Sequence, residues 1–165
     1  MAVDTSLIGK PTGTSKVAME RGPISNFARA IGNENAIYFD PKAAQAAGLA
    51  DIPAPPTWGF AMENWGKFAE IQPTNDPAKG QNIIMQAIGS LMAKGGLILH
   101  GEQEFEYHRP VVVGDVLSGE GRVADLYQKE SNGRTMTFLV TETTWSDDTT
   151  GEPVLTSRMN LIHRS

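Results

Sequence analysis

The chain contains no cysteine among its 165 residues. That excludes a disulfide framework, a thiolate nucleophile and a cysteine zinc site, and it removes the redox argument for secretion. A run of ~18 consecutive apolar residues, the length a membrane-spanning helix requires, is also missing. The first ten residues lack the basic start and apolar stretch of a targeting signal. Positive charge is scarce: 14 Lys and Arg against 19 Asp and Glu leave a net charge of -5, which argues against nucleic acid or an anionic membrane as a partner. These absences describe a soluble, cytoplasmic protein that must meet any anionic ligand locally.

What remains suffices for a single domain, residues 1–165, able to bury roughly 70% of its unfolded-chain surface. Seventeen glycines and ten prolines signal many turns, without the period of a fibrous chain. No internal repeat or low-complexity block appears. The pattern changes character near residue 96, from helical spacing to alternation with β-branched residues.

Upstream of that change, Ser15 to Glu20 alternates weakly and predicts an edge strand. Pro23 opens a helix carrying Ile24, Phe27, Ala28 and Ile31 on one face, stopped by Gly32. Asp40 and Pro41 read as the cap and first residue of a short helix ending at Gly48. The segment Ile52-Pro-Ala-Pro-Pro56 is too proline-rich for a helix interior or a central strand, and forms a rigid lead-in. Behind it, Thr57, Phe60, Ala61, Trp65 and Phe68 lie at helical spacing, with Glu63, Lys67 and Glu70 as the one charged stripe. Such a helix, apolar around most of its circumference, predicts a sheet curled about it. Pro73 to Gly80 is a polar break, and Ile84 to Leu91 predicts a fourth helix ended by Gly95-Gly96.

Four strands follow in this reading: 97–107, 116–127, 134–145 and 154–163. Asn132-Gly133 marks one hairpin turn and Asp147 to Gly151 the next, so the four strands are expected to form an antiparallel meander. The class is α+β, and a central apolar helix with a long antiparallel sheet is what a hot-dog fold needs. An isolated copy leaves a sheet edge open, so the architecture is expected to dimerise.

The segment Phe27-Ala-Arg-Ala-Ile-Gly-Asn-Glu-Asn-Ala-Ile-Tyr38 resembles the signature of the MaoC-like, (R)-specific enoyl-CoA hydratases and dehydratases. The resemblance extends to the proline-rich entry of the central helix and to His100-Gly-Glu-Gln-Glu-Phe-Glu-Tyr-His-Arg-Pro110 leading to Val113-Gly-Asp115. Nearly the whole chain is similar to the subfamily of fatty-acid-synthase-type dehydratase and MaoC N-terminal domains. That resemblance implies an acyl-CoA or acyl-carrier thioester as ligand and no cofactor beyond the carrier itself.

The family's working motif, Gly-Asp-x-Asn-Pro-x-His, supplies a carboxylate and an imidazole that activate water and return a proton to the α-carbon of a 2-enoyl thioester. On this chain Gly32 falls on the glycine, Asn33 on the aspartate, Asn35 on the asparagine, Ala36 on the proline and Tyr38 on the histidine. Both proton carriers are replaced: an amide takes no proton at neutral pH, and a phenol titrates near 10. The chain therefore resembles the degenerate member of a hetero-oligomer, shaping the acyl channel while a MaoC-like catalytic subunit carries the dyad. Two alternatives stay open: a self-sufficient homodimeric hydratase or thioesterase using another group such as His100, and a non-enzymatic acyl-thioester binder.

The resemblance places substrate contact at Pro56, Thr57 and Trp58, with Asn35 of the motif loop beside them in the expected binding set; a helix starting there presents the free N–H groups that a thioester oxygen needs. Prolines cannot donate, so the amides of Thr57 and Trp58 are the candidates; the plainer alternative makes Thr57 a helix cap and Trp58 a core aromatic. Of the three histidines, His100 beside Gly101 has the best access to a ligand, while His108 and His163 read as structural or surface residues. No pair has metal-ligand spacing, so no metal site is expected. Glu102, Glu104 and Glu106 share one face of a strand and read as solvated. Lys94, Arg109 and Arg122 are possible contacts for CoA phosphates.

Overall fold

The computed structural model describes residues 3–74, 83–93, 95–131 and 133–164. Strand β1 (Pro11–Ala18) leads into helix α1 (Arg21–Ala30), the short helix α2 (Pro41–Ala46), helix α3 (Trp58–Trp65) and helix α4 (Ile83–Met92). Strands β2 (Leu97–Tyr107), β3 (Val116–Ser131), β4 (Arg134–Asp147) and β5 (Pro153–Arg164) complete one antiparallel sheet in the order β1-β3-β4-β5-β2. This is the hot-dog arrangement, of class α+β. No helix among the described residues is long and apolar enough to cross a membrane. The break at Pro73 to Gly80 lies from Asn75 onward outside the described residues, as do Asn132 of the hairpin turn and Lys94.

Three differences from the sequence pattern have physical causes. Only β3, β4 and β5 form a meander; β2 pairs with β5 at the far edge. The 108–115 connection crosses from β2 to β3, held by the amide of Val113 on Ile52 and that of Ala54 on Val111. The proline-rich segment thus anchors the crossover, through the bridge between Pro53 and Val112. Helix α1 starts two residues before Pro23, since a proline within the first turn removes no intrahelical hydrogen bond. Helix α3 stops at Trp65, short of Phe68, because Gly66 lies against β1: its carbonyl accepts from the Ala18 amide at 2.9 Å, and a Cβ there would strike the Ala18 carbonyl oxygen.

Nor is α3 swallowed by the sheet. It buries Trp58 and Met62, while Phe60 and Trp65 are 53% and 59% exposed. The apolar circumference read from the sequence is half open in this chain.

The sheet's inner face carries two separate cores. At one end Val17, Leu117, Trp145 and Leu155 pack with Ile24 of α1 and Trp58 and Met62 of α3. At the other, Val123, Leu126 and Leu139 pack against Ala87 of α4. Polar and small residues separate the two.

Candidate active site

The motif loop is built from the end of α1. Gly32 takes a positive φ of 74°, a conformation that glycine adopts without a Cβ penalty, and the Asn33 amide returns to the Ala28 carbonyl at 2.9 Å. Asn33 Oδ1 then accepts from the Asn35 amide at 3.0 Å, and Asn35 Oδ1 from the Ile37 amide at 3.2 Å. Both side chains are folded back on their own loop, the turn chemistry for which asparagine is favoured. Tyr38 is half-buried, and its carbonyl accepts from the Ser25 hydroxyl at 2.8 Å, tying the loop to α1. Downstream, Asp40 caps α2 through the Lys42 amide, as its position in the sequence predicts.

At the start of α3 one of the two expected donors is engaged. The Trp58 amide donates to the Pro55 carbonyl at 2.8 Å, and its side chain is 1% exposed, with the indole N–H on Met19 Sδ at 3.2 Å. Its ring meets that of Phe27 edge to face at 5.3 Å. Trp58 is a core residue, and its amide is not available to a thioester oxygen. Thr57 occupies the cap position, but its side chain makes no capping bond; it is exposed beside the exposed Pro56.

The capping group comes from another strand. The Tyr107 hydroxyl donates to the Pro56 carbonyl at 2.7 Å and accepts from the Gly59 amide. Burial pushes this phenol up to about 12, against the opposing pull of that amide. Gly59 itself lies so close to β2 and β5 that a Cβ would stand 2.9 Å from Leu155 Cδ2 and Phe105 Cε1. Tyr107 was missed as a site residue in the sequence, although Gln103, Phe105 and Tyr107 alternate with three exposed glutamates and so point inward together.

His100 sits on exposed ground at the flank of α3, its ring 5.1 Å from that of Phe60. Among the described residues no hydrogen bond or ion pair joins it to a carboxylate. Gly101 marks the β-bulge between His100 and Glu102, where a Cβ would collide with Ile162; the glycine serves strand packing. His163 is 3% exposed and bonds the Gly95 carbonyl at 2.7 Å, and His108 contacts Thr156. Of the cations considered for CoA phosphates, Lys94 lies outside the described residues and the two arginines are paired: Arg109 grips Asp115 and Asp147, each at 2.8 Å, and Arg122 holds Glu142 at 2.6 Å. The hydrogen bonds that Arg109 donates to Asp115, and then to Asp147, raise its pKa further. Among the described residues no group of three His, Asp or Glu side chains could hold a metal ion.

The structure thus brings Asn33, Asn35 and Tyr38 into one turn and Pro56, Thr57 and Trp58 to one helix start, and places His100 on the flank of that helix. Residues 6–157 match the family model described as FAS1-like, dehydratase domain region. The chain belongs to this dehydratase family. A UPF0336 protein of Streptomyces avermitilis is 33% identical over 100% of this chain and 97% of its own. A probable enoyl-CoA hydratase alpha subunit of Thermomonospora curvata is 31% identical over 84% of this chain, which spans 43% of that longer protein. Among solved structures, the ChsH1-ChsH2 complex of Mycobacterium tuberculosis is similar with a TM-score of 0.70 and 23% identity, over 93% of this chain and 83% of that one. The HadBC (3R)-hydroxyacyl-ACP dehydratase complex of the same organism has a TM-score of 0.64 and 17% identity, over 98% and 99%. MaoC-like dehydratases are among the structural neighbours as well, in agreement with the family resemblance of the motif loop.

Proposed function

We propose that this chain is the catalytically degenerate, acyl-holding subunit of a hetero-oligomeric 2-enoyl thioester hydratase or 3-hydroxyacyl dehydratase. The observation that carries the reading is the motif loop: Asn33 and Tyr38 stand where hydration needs a carboxylate and an imidazole. Hydration forms a bond from water oxygen to C3 of the enoyl group and delivers a proton to C2; dehydration reverses both. Neither an amide nor a phenol takes the place of a carboxylate and an imidazole in relaying those protons at neutral pH. The reaction then belongs to a partner hot-dog subunit with an intact dyad, and this chain supplies the wall against which the acyl group lies.

The alternative of a self-sufficient enzyme relying on His100 lacks support, because that imidazole lies tilted against the Phe60 ring and, among the described residues, no carboxylate is bonded to it to orient it. The similarity to an enoyl-CoA hydratase alpha subunit and to two complexes of paired subunits supports the hetero-oligomeric reading.

The test is co-purification from the native source followed by a hydration assay with crotonyl-CoA. The chain alone is expected to turn over little or no substrate, and the complex to be active. Robust turnover by the homogeneous chain overturns the proposal.

A further inference from the structure

Between its two cores the inner face of the sheet is hollow. Cross-strand pairing lines up Gly121, Thr143 and Ser157 in one row and Val123, Thr141 and Met159 in the next, with Gln103 beyond Met159. Two chambers open here beneath α3. The larger, about 240 Å³, reaches Ser15 and Gly121, and the smaller, about 110 Å³, reaches Gln103 and Ser157. Both are bounded by Glu63, Thr141, Thr143, Trp145 and Met159, so they form one cleft. Glycines let its walls close in on the sheet: a Cβ on Gly119 would stand 2.6 Å from the Trp145 ring, and one on Gly121 would strike Thr12.

This cleft is lined with polar atoms that have nothing to bond. Ser15 Oγ, Gln103 Oε1 and Trp145 Nε1 are buried without a hydrogen-bond partner among the described residues. Trp145 is 2% and Ser15 9% exposed. The Gln103 side-chain nitrogen already donates to the Arg158 carbonyl, which leaves its oxygen as a pure acceptor. These three atoms offer one donor, one acceptor and one hydroxyl able to act as either, beside Glu63, Thr141 and Thr143 on the shared wall and Lys67 at the larger chamber. A plain alkyl chain satisfies none of them, and an unpaired buried polar atom is costly. A hydroxyl on the ligand both accepts and donates, which matches the set.

We propose, resting on the acyl-holding role above, that this cleft receives an oxygenated acyl chain, one bearing a hydroxyl group along its length, in preference to a plain alkyl chain. Sites built to hydrogen-bond a substrate hydroxyl discriminate strongly against analogues lacking it. A preference of about tenfold or more is expected here.

The test uses the chain labelled with ¹⁵N-tryptophan, in the complex with its co-purified hydratase subunit. The indole signal lost in Trp145→Phe identifies Trp145, and the remaining indole signals report that the variant is folded. Dodecanoyl-CoA is compared by calorimetry with dodecanoyl-CoA thioesters hydroxylated at carbons 6 to 12. The expected result is that at least one hydroxylated thioester binds about tenfold tighter and shifts the Trp145 signal. That preference should fall below about threefold in Trp145→Phe and in Ser15→Ala. Equal or tighter binding of plain dodecanoyl-CoA overturns the inference while leaving the acyl-holding role intact. A preference that leaves the Trp145 signal unmoved, or survives both variants, puts the hydroxyl elsewhere and overturns it too. If no thioester binds, the acyl-holding role itself fails, and the inference with it.

Discussion

Tyr107 shows how one hydroxyl can determine what a helix start is able to do. It reaches from β2 to bond both the Pro56 carbonyl and the Gly59 amide, so two backbone groups of the helix start are held by the protein itself. The phenol bonds as a neutral group, and its ionisation lies at about 12 in the folded chain against an ordinary value of 10.0. A raised value means that the unfolded chain loses the proton first. The stabilisation is then complete below pH 10 and declines as pH rises toward 12. Tyr107→Phe is expected to cost about 1 kcal/mol near neutrality, the worth of an ordinary hydrogen bond, and to flatten that alkaline decline. Urea denaturation of both proteins between pH 8 and 12 checks this, and parallel curves would contradict it.

Among the elements, the loop after α1 was the most legible in the sequence, because Gly32, Asn33 and Asn35 are turn residues whose local bonds follow from their chemistry. Its folded geometry makes a gain-of-function experiment possible. Aspartate at 33 presents the same acceptor to the Asn35 amide that asparagine presents now. Asn33→Asp combined with Tyr38→His is therefore expected to keep the loop and to give measurable hydration of crotonyl-CoA where the parent gives none. No gain in a folded double variant would show that the loop no longer meets a substrate.

The strands carry a second device that single-strand patterns could not reveal. Arg122, Glu142, Arg158 and Glu104 lie side by side across β3, β4, β5 and β2, a row created by register. Burial opposes the charge on Glu142, but hydrogen bonds from Arg158 and Arg122 outweigh it and hold the carboxyl below its ordinary value. Such a group stabilises the fold above its unfolded value of 4.5 and loses that effect as pH falls through the lower folded value. The arginine side chains are 55% and 40% exposed, so water screens much of the attraction. Glu142→Gln is expected to lose about 1 kcal/mol at pH 7, with the difference closing as the pH drops below 4.5. Thermal melts across that range measure the effect.

For the molecule as a whole, strand identities were readable from alternation, whereas their order was not. Period-2 patterning says which face of β2 is inward but nothing about its neighbour, and the pairing with β5 depends on a crossover anchored by distant prolines. The cleft was equally hidden, since nothing in the sequence brings Trp145 onto Gly119 or Thr12 onto Gly121. The consequence of that order is an open edge. Strand β2 has a partner on one side only, and it exposes Leu97 by 53% and Leu99 by 42% beside the exposed Phe60 and His100. Exposed apolar residues on an unpaired edge invite strand addition, which lysine there opposes. If the partner subunit pairs along β2, Leu97→Lys with Leu99→Lys should weaken the complex at least tenfold, a loss of about 1.4 kcal/mol, while leaving the fold of this chain unchanged. Sedimentation of the complex, with circular dichroism of the isolated variant as the folding check, decides the matter. Unaltered association would move the interface to the far edge at β1 or to the open flank of α3, where Trp65 stands exposed.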